Sequence, residues 1–381
     1  MATDARPLVL HVIHHLVVGG MENNLINLIN RMPESRFRHA IACVEDFAES
    51  RRRLVRADVE VVALHRSQIG VHKLRRELFR LCRRLAPTIV HSRNRSGLDA
   101  LLPARLGGVR YCVHGEHGWD MDDLHGEKWK SIWLRRIHSP LIDRYIAVSK
   151  DLERYLTHRV GIAARRVRQI YNGVDTERFA PSADKPASLL PTNLAGRDLF
   201  VIGTVGRIQA VKDQATLLRA FAELMRFCPG GSRRLRLAVV GDGPLLGQLR
   251  ELAQSLGIAE LTWFPGVVGN IPDVLRLLDV FVLPSLSEGI SNTILEAMAS
   301  RLPVLATARG GNVELIEDGL SGRLFEPGDV TSLARMLGEY LASPAVYRAH
   351  AEVARRQAVE RFSLSAMVAN YQAVYESATR G

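Results

Sequence analysis

The chain has 381 residues, of which 47% are hydrophobic and 24% are charged, which is the composition of a globular protein with room for two domains. Its four cysteines are widely spaced and form no CxxC or Cys/His ligand pattern. This spacing suggests neither a disulfide framework nor a zinc site, and it favours a reducing cytosol.

The net charge of +11 is distributed unevenly along the chain. Residues 1–180 contain 31 basic and 20 acidic residues, whereas the remainder contains 20 of each. The excess of positive charge therefore lies entirely in the first half, which we expect to meet an anionic partner.

The apolar N-terminal segment at residues 8–20 resembles a signal peptide only superficially. Three histidines interrupt it, it has no cleavage-like ending, and it is too short to span a bilayer. It is better interpreted as a first β-strand, and we expect no transmembrane segment in the chain.

The first half alternates between strand-like and helix-like segments. The predicted strands are residues 8–13, 39–44, 59–64, 88–91, 109–113 and 145–148, and the predicted helices are residues 22–30 and 71–85. This βαβ alternation predicts a mostly parallel sheet.

A second alternating series follows a segment at 172–198 that is rich in Pro, Ala, Asn and Asp. Its predicted strands are residues 200–205, 235–240, 261–264, 280–283 and 304–306, and the chain past residue 330 is predicted to be helical. The sequence thus predicts two doubly wound α/β domains, 1–180 and 181–361.

Two glutamates mark the most informative stretch, PSLSEGISNTILEAMAS at residues 284–300. Glu288 is predicted in the turn at the carboxyl end of a strand, Asn292 as a helix N-cap, and Glu296 about one turn into that helix. In open α/β sheets ligands bind at this edge, and free amides at a helix start suit a phosphate.

Two cations follow an earlier strand of the second half. Arg207 comes just after Gly206, and Lys212 stands immediately before a predicted helix. Cations at a strand's carboxyl edge suit a diphosphate, although a lone pair of this kind is more often simply solvated.

Together these motifs resemble the family 4 retaining glycosyltransferases of GT-B fold, most specifically over residues 202–327. The resemblance implies that Glu288 lies beside the transferred sugar, that Glu296 binds the ribose, and that Arg207 and Lys212 grip the donor diphosphate. It implies the following donor-binding residues: Gly19, Gly20, Arg207, Lys212, Gly241, Glu288, Gly289, Ile290, Ser291, Asn292 and Glu296.

The resemblance also implies a histidine that touches the donor sugar, and His117 in HGEHGWD matches it, near His114 and Asp120. His117, Glu288, Arg207 and Lys212 are therefore the predicted catalytic residues. The loop with Gly310 and Gly311 would line the donor cleft, whereas Asn312 departs from the residue type usual there.

The implied reaction moves a sugar from a nucleotide diphosphate sugar to an acceptor hydroxyl, without a covalent protein intermediate. No cofactor or metal is expected, since Asp122 and Asp123 are adjacent in a loop and are not spaced as Asp-x-Asp. The GISNTILEAMA motif is similar to the corresponding motif of the bacterial exopolysaccharide-associated transferases, which implies a role in envelope glycan synthesis.

Two alternatives remain open from the sequence. A nonhydrolysing sugar-nucleotide epimerase would share this fold, and a nucleic-acid-binding protein would share the basic charge, although no nucleic-acid-binding motif is present. The preferred partners are a nucleotide-sugar donor, a lipid-linked or glycan acceptor and an anionic membrane surface, with no nucleic acid.

Two helical segments complete the predictions. Residues 362–381 carry an apolar stripe that must be buried, and in the GT-B fold the last helix crosses back onto the first domain. Residues 128–138 interleave Trp129 and Trp133 with Arg135 and Arg136, a pattern typical of peripheral association with the inner face of the cytoplasmic membrane.

Overall fold

The computed structural model describes residues 6–17, 19–47, 49–119, 123, 126–196, 198–228 and 230–379. Internal contacts divide the chain into two compact units. Unit 1 consists of Met1–Gly173 with Leu364–Gly381, and unit 2 consists of Val174–Ser363. The chain passes between the units after Gly173 and after Ser363, whereas the sequence-based boundaries were 180 and 361.

Unit 1 contains a seven-stranded parallel sheet in the order β3-β2-β1-β4-β5-β6-β7. Its strands are β1 Leu8–Ile13, β2 Arg38–Cys43, β3 Glu60–Ala63, β4 Ile89–Arg93, β5 Tyr111–Glu116, β6 Arg144–Ala147 and β7 Val167–Gln169. The chain runs outward from β1 to β3 and then returns to the other side of β1, so the strand order reverses between β1 and β4.

In the described part of unit 1, helices connect most of these strands, as expected for parallel pairing. They are α1 Gly20–Arg31, α2 Arg66–Leu85, α3 Asn94–Gly97, α4 Leu101–Leu106, α5 Trp129–His138 and α6 Lys150–Arg154. Residue Gly70 has φ 74° and kinks α2, so the regular part of this helix agrees with the predicted span of 71–85.

Unit 2 contains a six-stranded parallel sheet in the order β10-β9-β8-β11-β12-β13. Its strands are β8 Phe200–Val205, β9 Leu235–Val240, β10 Thr262–Gly266, β11 Val280–Leu283, β12 Val304–Thr307 and β13 Gly322–Phe325. Its helices are α7 Gln214–Phe227, α8 Gly231–Arg234, α9 Leu246–Ser255, α10 Ile271–Leu277, α11 Asn292–Ala299, α12 Asn312–Leu315, α13 Val330–Ala342 and α14 Pro344–Arg361.

The last helix, α15 Leu364–Thr379, belongs to unit 1 although the chain before it belongs to unit 2. Its apolar stripe packs in one core cluster with side chains of β1, β4, β5 and α1, including Val9, Ile89, Val113 and Leu28. The predicted return of the C-terminal helix to the first domain is therefore confirmed.

Four strands, β1, β8, β9 and β11, have the bounds that their apolar runs predicted. Two short strands, β7 and β13, were not predicted, because each contains too few apolar residues to form a recognisable alternating pattern. Across the described ranges, no helix is both long and apolar enough to cross a membrane.

Candidate active site

The candidate residues of unit 2 lie where its strand order reverses. Strands β8 and β11 are neighbours, and the chain leaves β8 toward β9 but leaves β11 toward β12 on the opposite side. The loops that follow these two strands therefore diverge and open a crevice at the carboxyl edge of the sheet, where ligands of doubly wound folds bind.

A direct ion pair joins these two loops. The Lys212 ammonium, in the 3₁₀ turn Ala210–Lys212 after β8, donates to the Glu288 carboxylate in the loop after β11. The main chain of the loops is also joined, since Leu286 N donates to Val211 O at 2.8 Å. The sequence predicted both charged residues but not their pairing.

Arg207 lies in the loop between β8 and the 3₁₀ turn Ala210–Lys212, and its side chain is exposed. Its carbonyl accepts a hydrogen bond from the buried Gln214 Nε2 at 3.1 Å, which fixes the main chain of this loop while the guanidinium stays available. Lys212 and Glu288 are more enclosed, with 21% and 12% of their side-chain surface exposed. The connection between β8 and α7 thus offers one paired cation, Lys212, and one solvated cation, Arg207.

The N-cap of helix α11 differs from the prediction. Ser291 is the N-cap, because its hydroxyl accepts from Ile294 N at 3.3 Å, and Asn292 is the first helical residue. The predicted cap at Asn292 is therefore wrong by one residue, since serine already supplies the oxygen that the helix needs. Glu296 lies one turn into the helix, as predicted.

The paired glycines after β12 approach protein backbone at very short range. A Cβ on Gly310 would lie 2.1 Å from Glu288 O, and one on Gly311 would lie 1.9 Å from Gly289 O. Gly311 N also donates to Glu288 O at 3.1 Å. The structure shows that these glycines support the Glu288 loop, and the expectation that they line the donor cleft stays a prediction.

Buried polar groups support the same loop from the β12 side. Thr307 Oγ1 donates to Ser285 O at 2.5 Å, and Asn312 Nδ2 donates to Thr307 O at 3.2 Å. Asn312 and Thr307 are completely buried. Thr307 thus joins the carboxyl ends of β11 and β12, and Asn312, whose role the sequence left open, hydrogen-bonds to Thr307.

Gly241 packs directly against the turn that carries Arg207. A Cβ at Gly241 would lie 1.9 Å from Gly206 O, and its amide donates to Gly266 O at 2.9 Å. Asp242 O in turn accepts from Ile208 N at 2.9 Å. The glycine therefore allows β8 and β9 to end in tightly packed turns, and its predicted contact with the donor stays a prediction.

In unit 1, the glycine pair lies where the sequence predicted, between β1 and α1. Gly19 is the N-cap of α1 in extended conformation, and Gly20 is the first helical residue. The atoms nearest to a Cβ at Gly19 would be those of the flexible Glu22 carboxylate, with Oε2 at 2.3 Å. These glycines lie beside the point where the strand order of this sheet reverses.

His117 follows β5, and its amide donates to Asn94 Oδ1 at 2.7 Å. Both of its ring nitrogens are buried, and neither has a hydrogen-bond partner among the residues described. Burial, followed by the charge of Arg93, lowers the pKa of His117 to about 3, so the ring is neutral at physiological pH. Asp120 lies outside the described residues.

A buried network beneath α15 was not predicted. Arg93, only 2% exposed, contacts His11 Nδ1 at 3.1 Å and His91 Nδ1 at 3.3 Å, and Tyr375 OH lies 2.7 Å from His91 Nδ1. The signal that could have revealed it is the alternation of polar residues within otherwise apolar strands, as at His91 and Arg93.

The burial of Arg135 contradicts part of the membrane prediction made for residues 128–138. Arg135 on α5 is 4% exposed, and its Nε donates to Glu116 Oε1 at 2.6 Å. Burial alone would raise the pKa of Glu116, but Arg135 and the His114 ring outweigh it and lower that pKa. Arg135 therefore faces the core of unit 1 and not a membrane.

A metal-binding cluster of three or more His, Cys, Asp or Glu side chains is not found among the described residues. Asp123 is described, but its neighbour Asp122 lies outside the described residues.

Comparison with known families covers most of the chain. The family described as "Glycosyltransferase Family 4" matches residues 18–178, and "Glycosyl transferases group 1" matches residues 200–343. The putative glycosyltransferase EpsD of Bacillus subtilis is 30% identical over 277 residues, which are 71% of this chain and 69% of that protein. The chain belongs to the family 4 glycosyltransferases.

Two further similarities come from one sequence and one solved structure. A UDP-Gal:α-D-GlcNAc-diphosphoundecaprenol α-1,3-galactosyltransferase of Escherichia coli is 29% identical over 268 residues, 68% of each chain. The crystal structure of Anabaena HepE with UDP and glucose aligns with a TM-score of 0.84 at 21% identity, covering 98% of this chain and 100% of that one. The latter similarity supports the GT-B fold.

Membership in this family identifies the chain as a retaining enzyme that depends on a nucleotide-sugar donor. The crevice of unit 2 has the groups that such a donor needs. It combines a solvated guanidinium, an ammonium and a carboxylate around one sheet edge, next to the start of α11. Cations and helix-start amides can neutralise a diphosphate, and a carboxylate can accept hydrogen bonds from sugar hydroxyls.

Proposed function

We propose that this glycosyltransferase moves a sugar from a UDP-sugar to a hydroxyl of a lipid-linked acceptor during bacterial exopolysaccharide or other envelope glycan synthesis. The observation that carries the donor assignment is the Lys212–Glu288 pair with Arg207 at the reversal of strand order. The printed name of the Escherichia coli relative supports the UDP-sugar and the lipid-linked acceptor. The GISNTILEAMA stretch supports the exopolysaccharide role.

In this proposal Arg207 and Lys212 bind the donor diphosphate. The negative charge on the diphosphate grows as the sugar bond breaks, and cations fixed beforehand at that point stabilise the transition state more than the ground state. Lys212 exchanges its protein partner, the Glu288 carboxylate, for the phosphate oxygens when the donor binds. Glu288 is then free to accept from hydroxyls of the transferred sugar.

The other proposed donor contacts are assigned from the positions of their residues in the fold. Gly289, Ile290, Ser291 and Asn292 present main-chain groups at the start of α11, and Glu296 one turn later accepts from the ribose hydroxyls. Gly19, Gly20 and Gly241 offer main-chain groups to the donor, and they have no side chain to obstruct its approach. His117 contacts the sugar as a neutral imidazole, which can donate from one ring nitrogen and accept at the other.

We also propose that the enzyme associates peripherally with an anionic membrane through α5. Trp129, Trp133 and Ile137 are four residues apart on one helical face and are 65%, 55% and 59% exposed. Lys128 and Lys130 flank this stripe and are exposed, and Lys130 Nζ lies 5.8 Å from the Trp129 ring centroid. Exposed tryptophans beside lysines fit the headgroup region of an anionic bilayer.

A donor screen tests the proposed reaction. The purified enzyme is incubated with UDP-, GDP- and ADP-sugars and with an undecaprenyl diphosphate-linked sugar, and the release of nucleoside diphosphate is measured. Acceptor-dependent UDP release supports the proposal. Conversion of the donor to its epimer without an acceptor would instead favour an epimerase, and release from GDP-sugars alone would refute the choice of UDP.

A further inference from the structure

Asn94 occupies an unusual backbone position beside the candidate site of unit 1. It follows the last residue of β4 directly and has φ 50°, in the left-handed region. Among residues other than glycine, asparagine is one of the few that adopts this region readily. The chain can therefore turn sharply from β4 into α3 next to the reversal between β1 and β4.

The Asn94 side chain joins three loops of the sheet edge. Its Oδ1 accepts from His117 N, after β5, at 2.7 Å, and its Nδ2 lies 3.8 Å from Met21 Sδ in the first turn of α1. Met21 directly follows the Gly19–Gly20 pair. One amide thus connects the end of β4 with both segments of unit 1 that carry predicted donor contacts.

The bond to His117 matters because the imidazole itself is not held by side-chain hydrogen bonds. Both ring nitrogens are buried without a partner in the part of the chain that is described. The ring packs over Gly115, where an added Cβ would lie 2.7 Å from His117 Nε2. Its orientation therefore depends on the position of the His117 main chain, which Asn94 fixes.

We infer that Asn94 is a positioning residue for His117, a role that acts through the main chain and involves no contact between Asn94 and the sugar. This inference rests on the proposed role of His117 in sugar contact. A turn residue needed only for its backbone conformation would be replaceable by glycine, which adopts positive φ freely. The positioning role instead requires the Oδ1 acceptor, so glycine and aspartate substitutions separate the two possibilities.

Two substitutions and one control make this comparison. Asn94→Gly keeps the turn but removes the acceptor, and we expect kcat to fall about 10-fold to 100-fold, the usual effect of a misplaced catalytic group, with the donor KM nearly unchanged. Asn94→Asp keeps an acceptor oxygen and should retain kcat within about threefold. Ala86→Gly alters another left-handed residue of unit 1, at φ 45°, and should have no effect on kcat.

A double-mutant cycle tests whether the effect passes through His117. The kcat of Asn94→Gly/His117→Ala should equal that of His117→Ala alone, because a misplaced and an absent ring lose the same contact. If the kcat losses of the two single variants multiplied in the double variant, Asn94 would act independently of His117, and the inference would be overturned. Full activity of Asn94→Gly beside an impaired His117→Ala would overturn it without affecting the proposed function.

A measurement that does not depend on activity keeps the inference testable if the proposed reaction is wrong. Amide hydrogen exchange at His117, followed by NMR on the full chain, should be at least about tenfold faster in Asn94→Gly than in the wild type and in Asn94→Asp. Equal exchange rates in all three proteins would refute the anchoring bond itself. Absence of nucleoside diphosphate release by the wild type would refute only the proposed function.

Discussion

The Lys212 ammonium donates a hydrogen bond to the Glu288 carboxylate and so connects the turn after β8 to the loop after β11. These strands are neighbours in the sheet, although Lys212 and Glu288 are 76 residues apart in the chain. Each side chain neutralises the other in the absence of donor. A diphosphate that binds Lys212 must therefore compete with Glu288, which couples donor binding to the position of the glutamate.

Replacing Lys212 should impair turnover much more than folding. We expect Lys212→Met to lower kcat at saturating donor by about 10²-fold, similar to the loss of an oxyanion-hole donor, because the charge on the leaving diphosphate loses its counter-ion. Steady-state kinetics measures the effect. The matched control is Lys185→Met, since Lys185 pairs with Asp279 at 2.5 Å at the opposite end of β11. A near-normal kcat for Lys212→Met would contradict the diphosphate assignment.

The two glutamates should be separable by calorimetry. Glu296→Ala should weaken binding of UDP by about tenfold, because the ribose hydroxyls lose a charged acceptor. Glu288→Gln should not weaken UDP binding, because Lys212 loses a competing partner, and it should lower kcat, since UDP lacks the transferred sugar that this residue orients. Titration of each variant with UDP tests both expectations. Equal UDP affinity of Glu296→Ala and the wild type would refute the ribose role.

The close contact between Gly311 and the Glu288 loop can be tested by adding a single methyl group at Gly311. Gly311→Ala would place its Cβ 1.9 Å from Gly289 O, so the loop must shift. We expect a loss of about 1–3 kcal/mol in the free energy of unfolding and a lower kcat. Gly247→Ala is the control, because a Cβ there meets no atom within 4 Å and should be neutral or slightly stabilising. Denaturant titrations and kinetics that show no difference between the two variants would disprove the contact.

Unit 1 should lose stability in mild acid. Burial, with the charges of Arg93 or Arg56, lowers the pKa of His11 and His91 well below the usual value and that of His39 to about 3. An unfolded histidine binds a proton below about pH 6.5. At a pH between the folded-state and the unfolded-state pKa of a histidine, the unfolded chain binds more protons than the folded unit. The free energy of unfolding therefore falls as the pH drops, by on the order of 2 kcal/mol per buried ring at pH 5.

Urea titrations at pH 7.5 and pH 5 measure this effect, with the Trp263→Phe variant so that fluorescence reports only the tryptophans of unit 1. His39→Gln in that background should show a smaller difference between the two pH values, because one titrating ring is gone. An unfolding midpoint that does not change with pH would show that these rings are protonated in the folded unit.

Membrane association should depend on the α5 stripe and not on Arg135. Replacing Trp129 and Trp133 by Ala and Lys128 and Lys130 by Glu should abolish co-sedimentation with anionic vesicles, since each lysine contributes about 1 kcal/mol at such a surface. Binding of the wild type should also fall with added salt. Phe227→Ala, which removes an exposed aromatic ring from unit 2, is the control. Equal binding of the wild type to neutral and anionic vesicles would refute the proposal.

The sequence by itself determined the fold class and the positions of the unit 2 candidates. Apolar runs gave β8, β9 and β11 their correct bounds, and the residues that follow these runs must lie at the carboxyl edge of a parallel sheet. This inference needs only local patterns, because a strand's end is fixed by the residues immediately around it. Arg207, Lys212 and Glu288 were therefore predicted at this edge before any contact was known.

Only the tertiary structure decided which of these residues contact one another. The Lys212–Glu288 pair, the packing of Gly311 on Gly289 and the Asn94–His117 bond all join segments that are distant in sequence. The burial of Arg135 against Glu116 likewise depends on which face of α5 meets the sheet. Strand order and helix rotation set these contacts, and both depend on packing across the whole unit, which a pattern of a few neighbouring residues does not specify.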